Sequence, residues 1–258
     1  MRRLSELTWR DAEALKRAAP IVLLPIGSTE AHGPHLPLGT DAILSDELAA
    51  RAAAALDAAG YTTLIAPTIG YAITHYASEF AGTISIAPET ATALVADVCA
   101  ALIAQGFVRV CLVNSHLEPA HVASLKEACA RVQARHGVAV VFADQLEKRW
   151  ARTLTDEFKR GACHAGRYET SLVLAARPEL VRDEVRRRLM VKPIDLARAM
   201  REGKRTFLEA GAPEAYFGDP AAASVEEGND IYARLVAMVV AEVRAAWPTD
   251  AAPSASAT

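Results

Sequence analysis

Residues Ile21–Asp41 read IVLLPIGSTEAHGPHLPLGTD, and the fold turns on how this stretch divides. Ile21–Ile26 (IVLLPI) offers no polar position to either face of a strand, so a strand there needs cover on both sides. Gly27–Asp41 carries glycine and proline at short intervals, which keeps it an irregular loop. From Asp41 to Ala59 the chain is rich in alanine and leucine and stops at Gly60, the signature of a helix with glycine past its last turn. The succession recurs. Strand-like runs Thr62–Ala66, Val108–Val113 and Val138–Phe142 alternate with helical stretches Pro88–Gln105 and Pro119–Arg135, each opening on proline. Such alternation, with strands apolar throughout, implies an α/β domain whose mostly parallel sheet carries helices on both faces.

Beyond Ala143 the pattern loosens. Residues 144–168 read as helix and loop, Glu169–Ala176 and Pro178–Arg188 as helices, 190–220 as irregular and 221–247 as a closing helix. No repeat or long linker splits the chain, so one domain is expected over 1–248, with 249–258 as a disordered tail. With 28 basic against 31 acidic residues, the net charge of −3 lacks the basic excess that nucleic acid or an anionic membrane surface would need. No apolar run approaches the ~20 residues of a membrane span. Cys99, Cys111, Cys129 and Cys163 form neither a CxxC pair nor a zinc-finger spacing, and MRRLSELTWRDAEALKR lacks the apolar segment of a secretory signal. Free thiols in a reducing cytoplasm are expected.

The polar residues gather where strands end. Glu30 and His32 follow the first strand at positions i and i+2, so in extended backbone they face one point. His116 and Glu118 repeat the device after Val108–Val113. Ligand sites of parallel α/β sheets form at those ends. Asp41 stands where a helix N-cap belongs, and aspartate is a common cap. His164 and Glu169 flank a third junction, at the start of a helix near Tyr168. Glu30, Asp41 and Glu118 supply three negative charges, and two divalent ions with a hydroxide carry three positive ones. With His32 and His116 as neutral nitrogens, the set suits Zn, Mn or Fe(II) better than Ca or Mg. Paired metals acidify water and polarise a carbonyl, which is hydrolase chemistry. His35 and Ser115 lie beside ligand candidates and His75 lies in a loop that can reach substrate, so all three are candidates for the outer shell or for substrate contact. His121 and His136 read as surface or half-buried positions on a helix.

At these residues the sequence resembles the creatininase (creatinine amidohydrolase) family. The likeness lies in LPIGSTEAHGPHLPLGTD (Leu24–Asp41), EFAGTISI (Glu79–Ile86), VNSHLE (Val113–Glu118), HAGRYETS (His164–Ser171) and YFGDPAAASVEEG (Tyr216–Gly228), in family order from about Leu7 to Val243. It implies a three-layer α/β/α sandwich with a two-metal site, zinc, manganese or iron(II), hydrolysing a non-peptide C–N bond of a cyclic amide, lactam or formamide with metal-activated water. It further implies that Asp41 bridges the metals, that Glu30 and His116 complete one site, and that His32 belongs to the other. Glu118 matches a glutamate of creatininase itself, where many members read NGHGGN. Glu169 is the family's other acid, as ligand or ligand support, and His164 matches its proton-handling histidine. A homo-oligomer, often a hexamer, is implied as well. Arg160-Gly161-Ala162 replaces a Trp-Asp pair that helps hold creatinine, and the loop near His75 is shorter, which together point away from creatinine as substrate. Other members are peptidases, so peptide cleavage is an alternative, as is a non-catalytic scaffold. A thiol hydrolase using Cys163 suffers from adjacency, because His164 beside it is a poor base for it. A nucleotide-binding module lacks its fingerprint, since GSTEAHG is neither GxGxxG nor a Walker loop.

Overall fold

A computed structural model describes residues 1–248; the tail proposed at 249–258 lies outside the described residues. Four strands, β1 (Ile21–Ile26), β2 (Thr63–Ile65), β3 (Arg109–Asn114) and β4 (Val141–Ala143), form one sheet in the order β2-β1-β3-β4, every pairing parallel. The longer helices are α1 (Trp9–Lys16), α2 (Thr40–Ala58), α3 (Pro88–Ala104), α4 (Pro119–His136), α5 (Arg167–Ala176) and α6 (Val225–Ala246).

Alternation along the strands builds the layers. Ile21 and Leu23 of β1 and Cys111 and Val113 of β3 pack with Leu48 of α2, Leu172 of α5 and Leu235 of α6. Val22, Leu24, Val110 and Leu112 point the other way, onto Val95 and Leu102 of α3 and Leu125 of α4. The result is the expected single-domain α/β/α sandwich. Truncating a side chain such as Leu48 in either layer would cost about 2–5 kcal/mol. A smaller apolar cluster, which includes Ala31, Ala162, Phe207 and Phe217, sits apart from both layers, at the sheet end where the site lies.

Register places the site. Ile26 pairs with Asn114, so β1 and β3 release their chains side by side at one edge. Gly27 follows at once, and a Cβ there would overlap the backbone of Asp41 and Ala42. Its lack of a side chain lets the first turn of α2 press against the end of β1.

Four expectations need correction, the first being that 190–220 is irregular throughout: Leu196–Arg201 is a short helix, capped by Asp195, whose side chain accepts from the Arg198 N–H. Asp41 does not cap α2: the helix starts at Thr40, Gly39 occupies the cap position without a side-chain bond, and Asp41 lies in the first turn, facing inward. The last strand starts at Val141, not Val138, because only Val141–Ala143 pair with β3. Pro178–Arg188 is not one helix but a 3-10 turn, Pro178–Leu180, and a short helix, Asp183–Arg186. Extended backbone at Val181 separates them, and the Arg182 N–H next to it donates to the His35 carbonyl at 2.9 Å.

Candidate metal centre

Four segments deliver side chains to one buried point: the loop after β1, the first turn of α2, the loop after β3, and the stretch that ends in α5. His32 Nε2 lies 3.3 Å from Asp41 Oδ1, 3.5 Å from Glu169 Oε2 and 3.9 Å from Glu30 Oε1. His116 Nδ1 lies 3.0 Å from Asp41 Oδ2 and 3.4 Å from Glu30 Oε1. Asp41 thus turns one oxygen to each histidine. Among the described residues, three groups bring ligand atoms close enough to hold an ion: Glu30–Asp41–His116, His32–Asp41–Glu169 and Glu30–His32–His164. The first two share only Asp41.

The histidines are held in ligand-ready orientations. His116 Nε2 donates to the Ile73 carbonyl at 2.7 Å, and His32 Nδ1 donates to the Glu30 carbonyl at 3.2 Å. Each bond leaves the other ring nitrogen to face the acids, an arrangement typical of metal-bound histidine. His32 Nε2 is buried and has no hydrogen-bond partner, although three carboxylates surround it. An orphaned nitrogen among acids fits a divalent cation, so the residues present suit the group the resemblance implies.

The carboxylates are aimed too. Thr74 Oγ1 donates to Glu30, Ser28 Oγ donates to Asp41 Oδ2 at 2.7 Å, and the Ala165 N–H donates to Glu169 Oε2 at 2.6 Å. Ala165 adopts φ +48°, a left-handed conformation costing an alanine roughly 1–2 kcal/mol, and in it turns that N–H toward Glu169.

Burial and charge set the protonation states. Burial alone would strip the His32 proton, but Asp41, Glu169 and Glu30 overcome it and raise its pKa to about 10. His116, equally buried, is held well above its ordinary value by Glu30 and Asp41. Asp41 stays well below the usual carboxylate range despite burial, because both histidines attract its charge. Burial wins at Glu169, pushed up to about 8, and at His164, pushed down to about 4 with help from the His32 charge.

Metal-free protein at pH 7 therefore carries protons where ligation needs lone pairs. The raised His32 and His116 values mean these protons are bound below their folded pKa and leave only as pH rises toward it. Metal uptake at pH 7 should release more than one proton per chain. Apparent affinity should rise with pH by about tenfold per unit for each proton displaced. An indicator dye in weak buffer during zinc addition checks this; affinity unchanged between pH 7 and 9 would contradict it.

The structure brings Glu30, His32, Asp41, His116, His164 and Glu169 together. Glu118 belongs to none of the three groups: its oxygens accept from the N–H groups of His75 (3.1 Å) and Tyr76 (3.3 Å), and it lines the same pocket. Burial raises its pKa. His75 contributes that backbone N–H, while its exposed side chain lies 3.4 Å from Ser85 Oγ. His35 is fully buried, and its Nε2 meets Thr170 Oγ1 at 2.9 Å, next to Glu169. Ser115 lines a separate hollow behind Glu169. His121 corrects the surface reading: it is 1% exposed, stacked 5.0 Å from the His116 ring. Sequence reasoning missed Thr74, Ser28 and the apolar collar of Tyr76, Leu117, Leu196, Met200 and Phe207 around the pocket. Ser28, at i−2 to Glu30, carried the same spacing signal as His32; the others carried none.

A model of the creatininase family, described as creatinine amidohydrolase, matches residues 5–243. The chain belongs to the creatininase family. It is 33% identical over 242 residues to the mycofactocin precursor peptide peptidase of Mycobacterium tuberculosis (strain CDC 1551 / Oshkosh), covering 90% of this chain and 88% of that one. It is 29% identical over 196 residues to the creatinine amidohydrolase of Pseudomonas putida, covering 69% and 73%. A solved structure titled "Creatininase Mn" superposes with a TM-score of 0.75 at 26% identity over 96% of this chain and 99% of the other. A glutamine-variant creatininase titled as the Zn-Zn type does so at 0.75 and 24% identity over 96% and 98%, a likeness of fold. The family and its named members make this creatininase-family chain a hydrolase.

Proposed function

We propose that the chain is a metal-dependent amidohydrolase that cuts a C–N bond outside the peptide backbone, in a cyclic amide, lactam or formamide. The observation that carries this reading is Asp41, whose two oxygens are shared between buried groups completed by Glu30 and His116 on one side and His32 and Glu169 on the other. In this reading those five side chains hold two divalent ions, with zinc first and manganese or iron(II) as alternatives. Bound there, the ions supply a polarised carbonyl and a water acidic enough to be a nucleophile near neutral pH.

The chain's own residues do the rest. His164 Nε2 donates to the Ala31 carbonyl at 3.0 Å, so the imidazole presents Nδ1 to the site, 3.7 Å from Glu30 Oε1. Burial disfavours the charged form of the ring, so Nδ1 is free at neutral pH to take a proton from the attacking water and return it to the leaving nitrogen. Glu118, its carboxylate fixed by two backbone amides at the pocket wall, is positioned to orient that water. The Phe207 ring stacks 4.4 Å from the His164 ring and excludes solvent from it. The apolar collar supports a substrate with an apolar portion beside the scissile carbonyl.

The relatives named peptidase favour a second reading, in which the bond is a peptide. Metal-reconstituted protein screened against creatinine, cyclic ureides, lactams, formamides and short apolar peptides tests both. Hydrolysis of peptides alone would replace the first reading with the second, and no hydrolysis of any class would remove both. A thiol nucleophile is a further rival. Burial holds the Cys163 thiol well above its ordinary pKa, so it is protonated and inert. Cys163→Ser should leave turnover nearly intact, and a fall of ~10²–10⁴ in kcat would contradict that.

A further inference from the structure

Asn114, the last residue of β3, clamps the backbone of a ligand residue two positions on. Its Nδ2 donates to the His116 carbonyl at 2.6 Å, and its Oδ1 accepts from the His116 N–H at 3.3 Å. His121 Nε2 donates to the same Oδ1 at 3.2 Å from the other side. The main chain of Asn114 is held in turn, because Gln145 Nε2 donates to its carbonyl at 3.3 Å. Gln145 Oε1 accepts from Tyr168 Oη at 3.0 Å. Tyr168 precedes Glu169 in the first turn of α5. A continuous line of side chains therefore runs from His116, in one group of ligands, to the residue beside Glu169, in the other. None of its hydrogen bonds goes to a ligating atom of either group.

Every member of this line is buried: Asn114, His121, Gln145 and Tyr168 are each at most 4% exposed. Polar groups this deep hold fixed geometry while their partners remain, because an unmade bond there has no water to replace it. Ser115, Gln145, Tyr168 and Glu169 border a small hollow between the end of β3 and α5.

We propose that Gln145 is a positioning residue that sets the spacing between the two halves of the metal centre, so that the second ion's affinity depends on a side chain that ligates neither ion. This rests on the two-ion reading above. Outer-shell partners of ligands commonly change metal affinity by about 10–100-fold. Gln145→Leu keeps the bulk and removes both hydrogen bonds, and Tyr168→Phe removes one while keeping the ring in the core.

The test is a stepwise Zn(II) titration of wild type and both variants against a competing chelator, with melting temperature recorded on the same samples. The expected result is a second ion weakened by about 10–100-fold in Gln145→Leu, by less in Tyr168→Phe, and no further in the double variant than in Gln145→Leu, with the first ion's affinity little changed. Lowered melting with an unchanged ratio of the two affinities, in either single variant, would overturn the proposal and leave the metal centre standing. A wild type that binds fewer than two ions would overturn both. Should Gln145→Leu fail to fold, the ratio in Tyr168→Phe decides alone.

Discussion

Asp41→Ala should yield a folded protein that holds neither metal ion and has no measurable turnover. Asp41 lends Oδ2 to the side of His116 and Oδ1 to the side of His32, so removing it opens both groups at once. No other single change does this, since Glu169 belongs to one of the two Asp41 groups and Glu30 and His116 to the other. The loss should exceed the ~10–100-fold in metal affinity typical of residues that merely support a ligand. Folding should survive in the metal-free form, because the α2 cap is the Gly39 backbone and no cap bond is broken. Metal analysis with a melting curve checks both halves. Full metal content with a drop of only about 0.5–2 kcal/mol in stability would return Asp41 to a helix-end role.

His164→Ala should separate chemistry from ligation. Metal content should stay at the wild-type value while kcat falls by ~10²–10⁴, because an amide nitrogen leaves poorly until it is protonated. The alternative is visible in the structure: His164 Nδ1 also lies within reach of Glu30 and His32 as a third ligand group. A variant that comes out depleted in metal would assign His164 to that group, and a fully active one would remove it from the reaction.

Much of this was legible in the chain because burial leaves a pattern. The two inner strands are apolar on both faces, and β1 and β3 fall within one residue of where that pattern puts them. Glu30 and His32 converge as i, i+2 spacing demands. The same spacing at His116 and Glu118 gave half the answer: His116 meets Asp41, but Glu118 turns to the amides of a loop forty residues upstream in the chain. Thr74 and Phe207 were illegible for the same reason, since each reaches the site across a long loop with no local periodicity. His121 was readable and was misread. It shares the i, i+4, i+7, i+11 stripe of Leu125, Ala128 and Val132 on α4, all buried, and that stripe outweighs the usual preference of histidine for the surface.

The collar around the pocket has an origin separate from the ligands. Leu196, Met200 and Phe207 all lie between Lys192 and Gly218, whose backbones exchange two hydrogen bonds of 2.7 Å and pinch the intervening chain into a closed loop. The segment is ordered between those ends: Leu196–Arg201 is a short helix, and Phe207, Tyr216 and Phe217 are buried. Exchanging the side chains at Leu196, Met200 and Phe207 is therefore the way to retarget the pocket, because these line it without belonging to any of the three groups of candidate ligands.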